Sequence, residues 1–267
     1  MPGLWTSILA GVVQGTLEWL PVSSEGQAAM ALMRVIGVHP RIALDLALWL
    51  HAGTLLAVLA RFARPYLNAL VGLVRGGEWR RLAVFLIVAT LATGAVGVPI
   101  YKVLKRAVSA ATGDTVQMLI GLALIVTGLL LRVSPAGLRT RWDVRLSDAL
   151  LVGLGQGFAV IPGISRSGTT MAILLWRRFD SGDAVWLSFF LAGPAMLGAT
   201  VLELKEGMEA ARAVGAEWMA GALATSFIVS LLSMEVLLRV ARRLDFSKVC
   251  LLLGAIALLA PLIGKVA

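Results

Sequence analysis

Glu18 stands near the end of an apolar run, residues 4–20, that also carries Gln14. A carboxylate in such a run is expensive unless it is solvated, paired or bound to a cation. Gln14 lies one helical turn earlier, on the same face. Ser23 and Ser24 follow Pro21, and in the second half of the chain Arg166 sits between Ser165 and Ser167. A guanidinium in an apolar setting must face an anion or water, and its fork suits phosphate. Free backbone N–H groups at the start of a short helix favour the same ligand. An acid, hydroxyls, an arginine and two helix N-termini at one depth describe a seat for a phosphorylated lipid head group. Each residue also has a plainer reading. Ser24 and Gln27 form a capping box. Glu18 pairs with an arginine only to hold a bundle, Arg166 snorkels to a surface, and His51 is a hydrogen-bonded core histidine.

The elements that position these residues are repeated. Residues 11–27 read GVVQGTLEWLPVSSEGQ and residues 153–170 read GLGQGFAVIPGISRSGTT. Each opens with Gly-x-x-Gln-Gly and then meets a proline, two serines and a glycine. Two unlinked accidents of capping would not produce the same opening and the same turn. Each copy is read as an apolar helix that stops at a proline, a serine- and glycine-rich turn, and a short return helix.

Composition sets the surroundings. The chain has 267 residues, 59% hydrophobic and 15% charged, with a mean hydropathy of +0.89. Soluble domains carry about a quarter charged residues, so an all-α polytopic membrane protein is expected. The net charge of +9 reads as anchoring loops, and nucleic acid is not an expected partner. Cys250 is the single cysteine, which leaves no intrachain disulfide and no cysteine metal site. The first run lacks a basic flank and carries Gln14 and Glu18, unlike a cleaved signal peptide.

Apolar periodicity predicts six transmembrane helices at 43–59, 82–104, 116–131, 185–202, 218–238 and 249–263, with Pro99 a candidate kink. Two re-entrant helix hairpins are predicted at 4–36 and 146–176. A run of about 17 residues rises about 25 Å, short of a hydrocarbon core of about 30 Å. Segments 61–81, 132–146 and 239–248 read as basic loops on the cytoplasmic side, and 102–114 and 203–217 as outer loops. The hairpins then enter from opposite faces. One integral membrane domain, 1–267, would hold two halves, about 1–132 and about 146–267, in an inverted-topology repeat with its site at mid-membrane.

At these residues the chain resembles the undecaprenyl-diphosphatase, or bacitracin-resistance protein, family. The resemblance runs along essentially the whole chain. It rests on Glu18-Trp-Leu-Pro-Val-Ser-Ser24, on His51-Ala-Gly-Thr-Leu-Leu-Ala-Val58 and on Pro162-Gly-Ile-Ser-Arg-Ser-Gly-Thr169. It implies a multi-pass phosphatase of the cell membrane that hydrolyses undecaprenyl (polyprenyl) diphosphate at the outer face and recycles the monophosphate carrier for glycan synthesis. It implies a divalent cation, Mg²⁺ or Ca²⁺, held by Glu18. Glu18, Ser24 and Arg166 match the family's catalytic positions. Gln14, Ser23, Gln27, His51, Ser165, Ser167, Gly168 and Thr169 are expected to line the substrate. Two positions depart from the family's pattern: Gln14 stands where a glutamate is usual, and Gln27 where a histidine is usual. Glu25 and His51 are the nearest replacements for the lost charge and base. A translocase for the lipid monophosphate is the alternative, since inverted repeats with broken helices also build transporters. Membrane lipids are expected partners, and a homodimer is left open.

Overall fold

The computed structural model describes all residues except 1–2, 22–23, 25–26, 30–31, 34–36, 38–39, 108–112, 134–135, 162–163 and 264–267. The described chain is helical. Its helices are α1 (Leu4–Leu17), α2 (Pro40–Arg61), α3 (Ala63–Arg75), α4 (Gly77–Ala107), α5 (Gly113–Arg132), α6 (Leu146–Gly157), α7 (Arg166–Trp176), α8 (Ser181–Leu202), α9 (Leu204–Val214), α10 (Ala216–Val240) and α11 (Phe246–Ile263). Short 3₁₀ turns stand at Arg141–Asp143 and Phe158–Val160. Among the described residues the only extended pairing is one bridge between Arg139 and Phe179.

Three helical stretches are long and apolar enough to cross a membrane: Gly77–Leu104, Ser181–Leu202 and Ala216–Val240. Asp45–Arg61 and Ala63–Arg75 are long and apolar enough only when taken together, and they bend by 64° at the break between them. The chain is thus a multi-pass helical membrane protein. Helix α4 runs through Pro99.

Two expected loops are corrected. Segment 61–81 is mostly α3 and the start of α4, and segment 203–217 is mostly α9. Helix α9 interleaves charged and apolar residues, and α3 carries Arg64 and Arg75 at its two ends, so mean hydropathy is low while one face stays apolar. On α3 the apolar Leu67, Leu70, Val71 and Val74 are exposed, as suits a helix lying along a lipid surface.

Contacts place the basic segments at one end of the bundle. Trp79 meets Trp142 edge-on at 5.1 Å, Arg141 pairs with Asp183, and Arg242 reaches Asp180 at 3.1 Å. At this end Asp148, fully buried in the first turn of α6, takes Arg139 Nη2 at 2.5 Å and Arg177 Nε at 2.6 Å. The opposite end holds the start of α1, where Trp218 Nε1 donates to Thr6 Oγ1 at 2.9 Å. The arms α1 and α6 therefore begin at opposite ends.

The Gly-x-x-Gln-Gly openings set how the arms pack. A Cβ on Gly11 would stand 2.6 Å from Ala222 O of α10, and one on Gly153 would stand 2.4 Å from Ala89 O of α4. Only glycine permits such backbone approach, the usual solution where helices pack in lipid. Each arm lies on a long helix from the other half of the chain. The core between them is aromatic: Trp19, Phe62, Phe85, Phe179, Phe189 and Phe190 are fully buried.

Candidate active site

Helix α1 ends at Leu17, and Glu18 is its C-cap, with its N–H on Gln14 O at 3.1 Å. Pro21 explains the early stop, because the residue before a proline avoids helical geometry. The carboxylate therefore sits at the negative end of a helix, where it needs positive partners. It finds them from distant parts of the chain. Arg166 Nη2 donates to Oε1 at 2.8 Å, and His51 Nε2 stands 3.0 Å from Oε2. Ser24 Oγ and Gln14 Nε2 each donate to Oε2 at 2.8 Å. Glu18, Gln14 and Ser24 are buried.

Arg166 opens α7, one residue after its N-cap Ser165, whose Oγ accepts from Gly168 N at 3.2 Å. The return helix begins four residues before the expected 170, so Arg166 is its first residue rather than a turn residue. A cation at a helix N-terminus is disfavoured. Arg166 and the free N–H groups of that turn together call for an anion. Arg166 Nη1 is buried with no hydrogen-bond partner among the described residues, and the same holds for Gln14 Oε1. The indole of Trp19 lies beneath the guanidinium at 5.8 Å and donates to Ser230 Oγ at 2.7 Å. Trp19 is not among the residues singled out in the sequence; its place beside Glu18 in the motif is the signal that it supports the site.

The two turns are joined directly. Ser167 Oγ donates to Leu20 O at 2.7 Å and lies 3.2 Å from Ser165 Oγ. A Cβ on Gly168 would stand 2.4 Å from Thr127 Cγ2 and 3.2 Å from Pro21 Cβ. Ser165, Ser167 and Gly168 thus hold the start of α7 against the segment that follows α1. Thr169 puts its Cγ2 beside α6, 3.5 Å from where a Cβ on Gly155 would be. Gln27 is helical and half-buried, with no hydrogen bond to Glu18 among the described residues. Ser23 and Glu25 lie outside the described residues. The structure brings Glu18, Ser24, Arg166, Gln14 and His51 into one cluster. The Ser24 hydroxyl, which a capping role uses as an acceptor, here donates to Glu18.

A resident divalent cation fits this set poorly. Mg²⁺ and Ca²⁺ take carboxylate and other oxygen lone pairs, but both Glu18 oxygens already face donors. Among the described residues of the cluster, Gln14 Oε1 is the buried oxygen without a hydrogen-bond partner, and no group of three His, Cys, Asp or Glu suited to a metal occurs among the described residues.

The arrangement has counterparts among known proteins. A protein named undecaprenyl-diphosphatase from Methanopyrus kandleri is 71% identical over 262 residues, covering 98% of this chain and 97% of its own. Proteins of the same name from Haloarcula marismortui and Methanothrix thermoacetophila are 40% and 39% identical, over 98% and 94% of this chain and 99% and 94% of theirs. The family described as Bacitracin resistance protein BacA matches residues 7–256. With most of α1, all of α6 and α7 and the Glu18–Arg166 contact inside that match, the chain belongs to the bacitracin resistance protein family.

Proposed function

We propose that the protein is a membrane phosphatase that hydrolyses undecaprenyl (polyprenyl) diphosphate to the monophosphate and inorganic phosphate. The single observation that carries the reading is the Glu18–Arg166 contact at 2.8 Å, made across the two repeated turns beside an unpartnered guanidinium nitrogen. The relatives' names favour hydrolysis over the translocase. Arg166 Nη1 and the N–H groups opening α7 bind the terminal phosphate and stabilise the charge on its equatorial oxygens as it transfers. Ser24 Oγ attacks the terminal phosphorus, or aligns the water that does, and passes its proton to Glu18 Oε2. The anhydride bond breaks, and the lipid monophosphate leaves without needing a proton. Where Ser24 is the nucleophile, water then attacks the phosphoserine: the water's hydroxyl leaves on the inorganic phosphate, its proton restores the Ser24 hydroxyl, and Glu18 releases the first proton to solvent. Phosphoryl transfer is loose, so little proton removal precedes bond breaking. No step is assigned to a cation.

The arms α1 and α6 are proposed to be re-entrant, inserted from opposite leaflets of the plasma membrane in an inverted repeat, with six spans around them. The basic end faces the cytoplasm and the site opens to the outer face. Glu18, Ser24, His51 and Arg166 all come from one chain, so a single chain carries this cluster. The test is purified protein in detergent with a C55 polyprenyl diphosphate, scored for inorganic phosphate. Release that Ser24→Ala removes is expected. Tight lipid-phosphate binding without release would overturn the reading in favour of the translocase.

A further inference from the structure

The donors around Glu18 bear on a question the reaction leaves open. An ionised carboxylate offers about four lone-pair sites. Here Arg166 Nη2 takes Oε1 at 2.8 Å, while Gln14 Nε2 and Ser24 Oγ take Oε2 at 2.8 Å each and His51 Nε2 faces it at 3.0 Å. The Gln14 amide has a chemically fixed orientation, since a carboxylate accepts and only the amide nitrogen can donate to it. The His51 ring is fixed as well. Its Nδ1 lies 3.1 Å from both Ala47 O and Leu48 O, and carbonyls only accept, so Nδ1 carries a proton and Nε2 donates to Glu18 as the imidazolium. Three groups thus face Oε2, and the Arg166 guanidinium holds Oε1. A cation at Glu18 would either displace one of them and leave it unpaired in an apolar interior, or share Oε1 with the guanidinium that stands 2.8 Å from it.

We infer that Gln14, with His51 and Arg166, takes the place of a protein-bound divalent cation, so that Glu18 is held by N–H and O–H donors and the chain has no resident metal site there. Gln14 is the deciding residue. A carboxylate at this position would remove one donor and add a second hard anion on the same helix face as Glu18, the pairing that oxygen-seeking cations prefer. The inference rests on the proposed function only for locating the site, and its test uses no substrate and no turnover.

The experiment is a Mn²⁺ titration of purified protein in detergent, with free Mn²⁺ followed by its electron paramagnetic resonance signal. The parent, Glu18→Gln, Gln14→Glu and the Gln14→Glu/Glu18→Gln double variant are compared. The parent and Glu18→Gln are expected to give the same curve up to about 1 mM, the range of weak oxygen-only sites. Gln14→Glu is expected to gain one site per chain that the double variant loses. One Mn²⁺ per parent chain, abolished by Glu18→Gln, would overturn the inference, and this comparison stands even if Gln14→Glu does not fold. A folded Gln14→Glu variant that binds no Mn²⁺ would overturn the role given to Gln14. Failure of phosphate release in the separate turnover assay would leave these binding curves unchanged.

Discussion

Arg166→Lys keeps the positive charge and removes the fork. In the parent, Nη2 is engaged with Glu18 at 2.8 Å and Nη1 is buried without a partner among the described residues. On the proposed reaction the two nitrogens of one rigid plane serve two tasks: one anchors Glu18 and the other meets the terminal phosphate. A lysine ammonium is a single centre. Once it pairs with Glu18, it no longer reaches the phosphate as the fork does. The loss is one preorganised donor at the transferring phosphoryl group, about 10²–10³ in kcat. A hundredfold loss is about 2.7 kcal/mol in the barrier. Arg166→Ala removes both tasks. It should lower kcat by about 10³–10⁵, the range for an arginine on a phosphoryl transition state. It should also destabilise the fold by about 3 kcal/mol, the low end for breaking a buried pair, because His51 still faces Oε2. The assay is phosphate release from a C55 polyprenyl diphosphate at saturating substrate, with a thermal melt of each variant in the same detergent. The lysine variant should melt near the parent and turn over about a hundredfold more slowly. A lysine variant with the parent's kcat would refute the division of labour between the two nitrogens.

Other outcomes follow from the same contacts. Ser24→Ala removes the hydroxyl donated to Glu18 Oε2 at 2.8 Å and should abolish detectable phosphate release with a melt shifted little; near-parental turnover would remove Ser24 from the chemistry. Gly15→Leu forces a side chain where a Cβ alone would stand 2.8 Å from Ser226 O. It should pry α1 from α10 and lower both the melting temperature and activity, whereas a parental melt would contradict the packing. Asp148→Asn leaves Arg139 and Arg177 without their buried partner and should cost about 3–5 kcal/mol. Arg242→Ala, an exposed pair with Asp180, should cost under about 1 kcal/mol. Denaturation curves that rank these two the other way would refute the burial argument.

The site was legible where chemistry and repetition coincided. Glu18, Ser24 and Arg166 stand out because polar groups in an apolar run demand a reason, and the doubled Gly-x-x-Gln-Gly opening marks two copies of one device. The amphipathic helices α3 and α9 were not legible as helices. A search for spans averages hydropathy along the chain, and Arg64, Arg75, Lys205 and Arg212 dilute the apolar positions that the helical period brings together.

By itself the sequence determined that this is an apolar, helical chain with two broken arms and a short inventory of groups able to meet a phosphate. It could not assign partners. Glu18 meets Arg166 across 148 residues, and Trp19 meets Ser230 across 211. Such contacts arise only when each arm packs on a long helix from the other half. The pairing of His51 with Glu18 was likewise decided by how α2 lies against α1 and α10. Local patterns fix what each segment is, because helix periodicity and proline breaks act within a few residues. Which charges meet is settled by packing between segments, and only the tertiary structure records it.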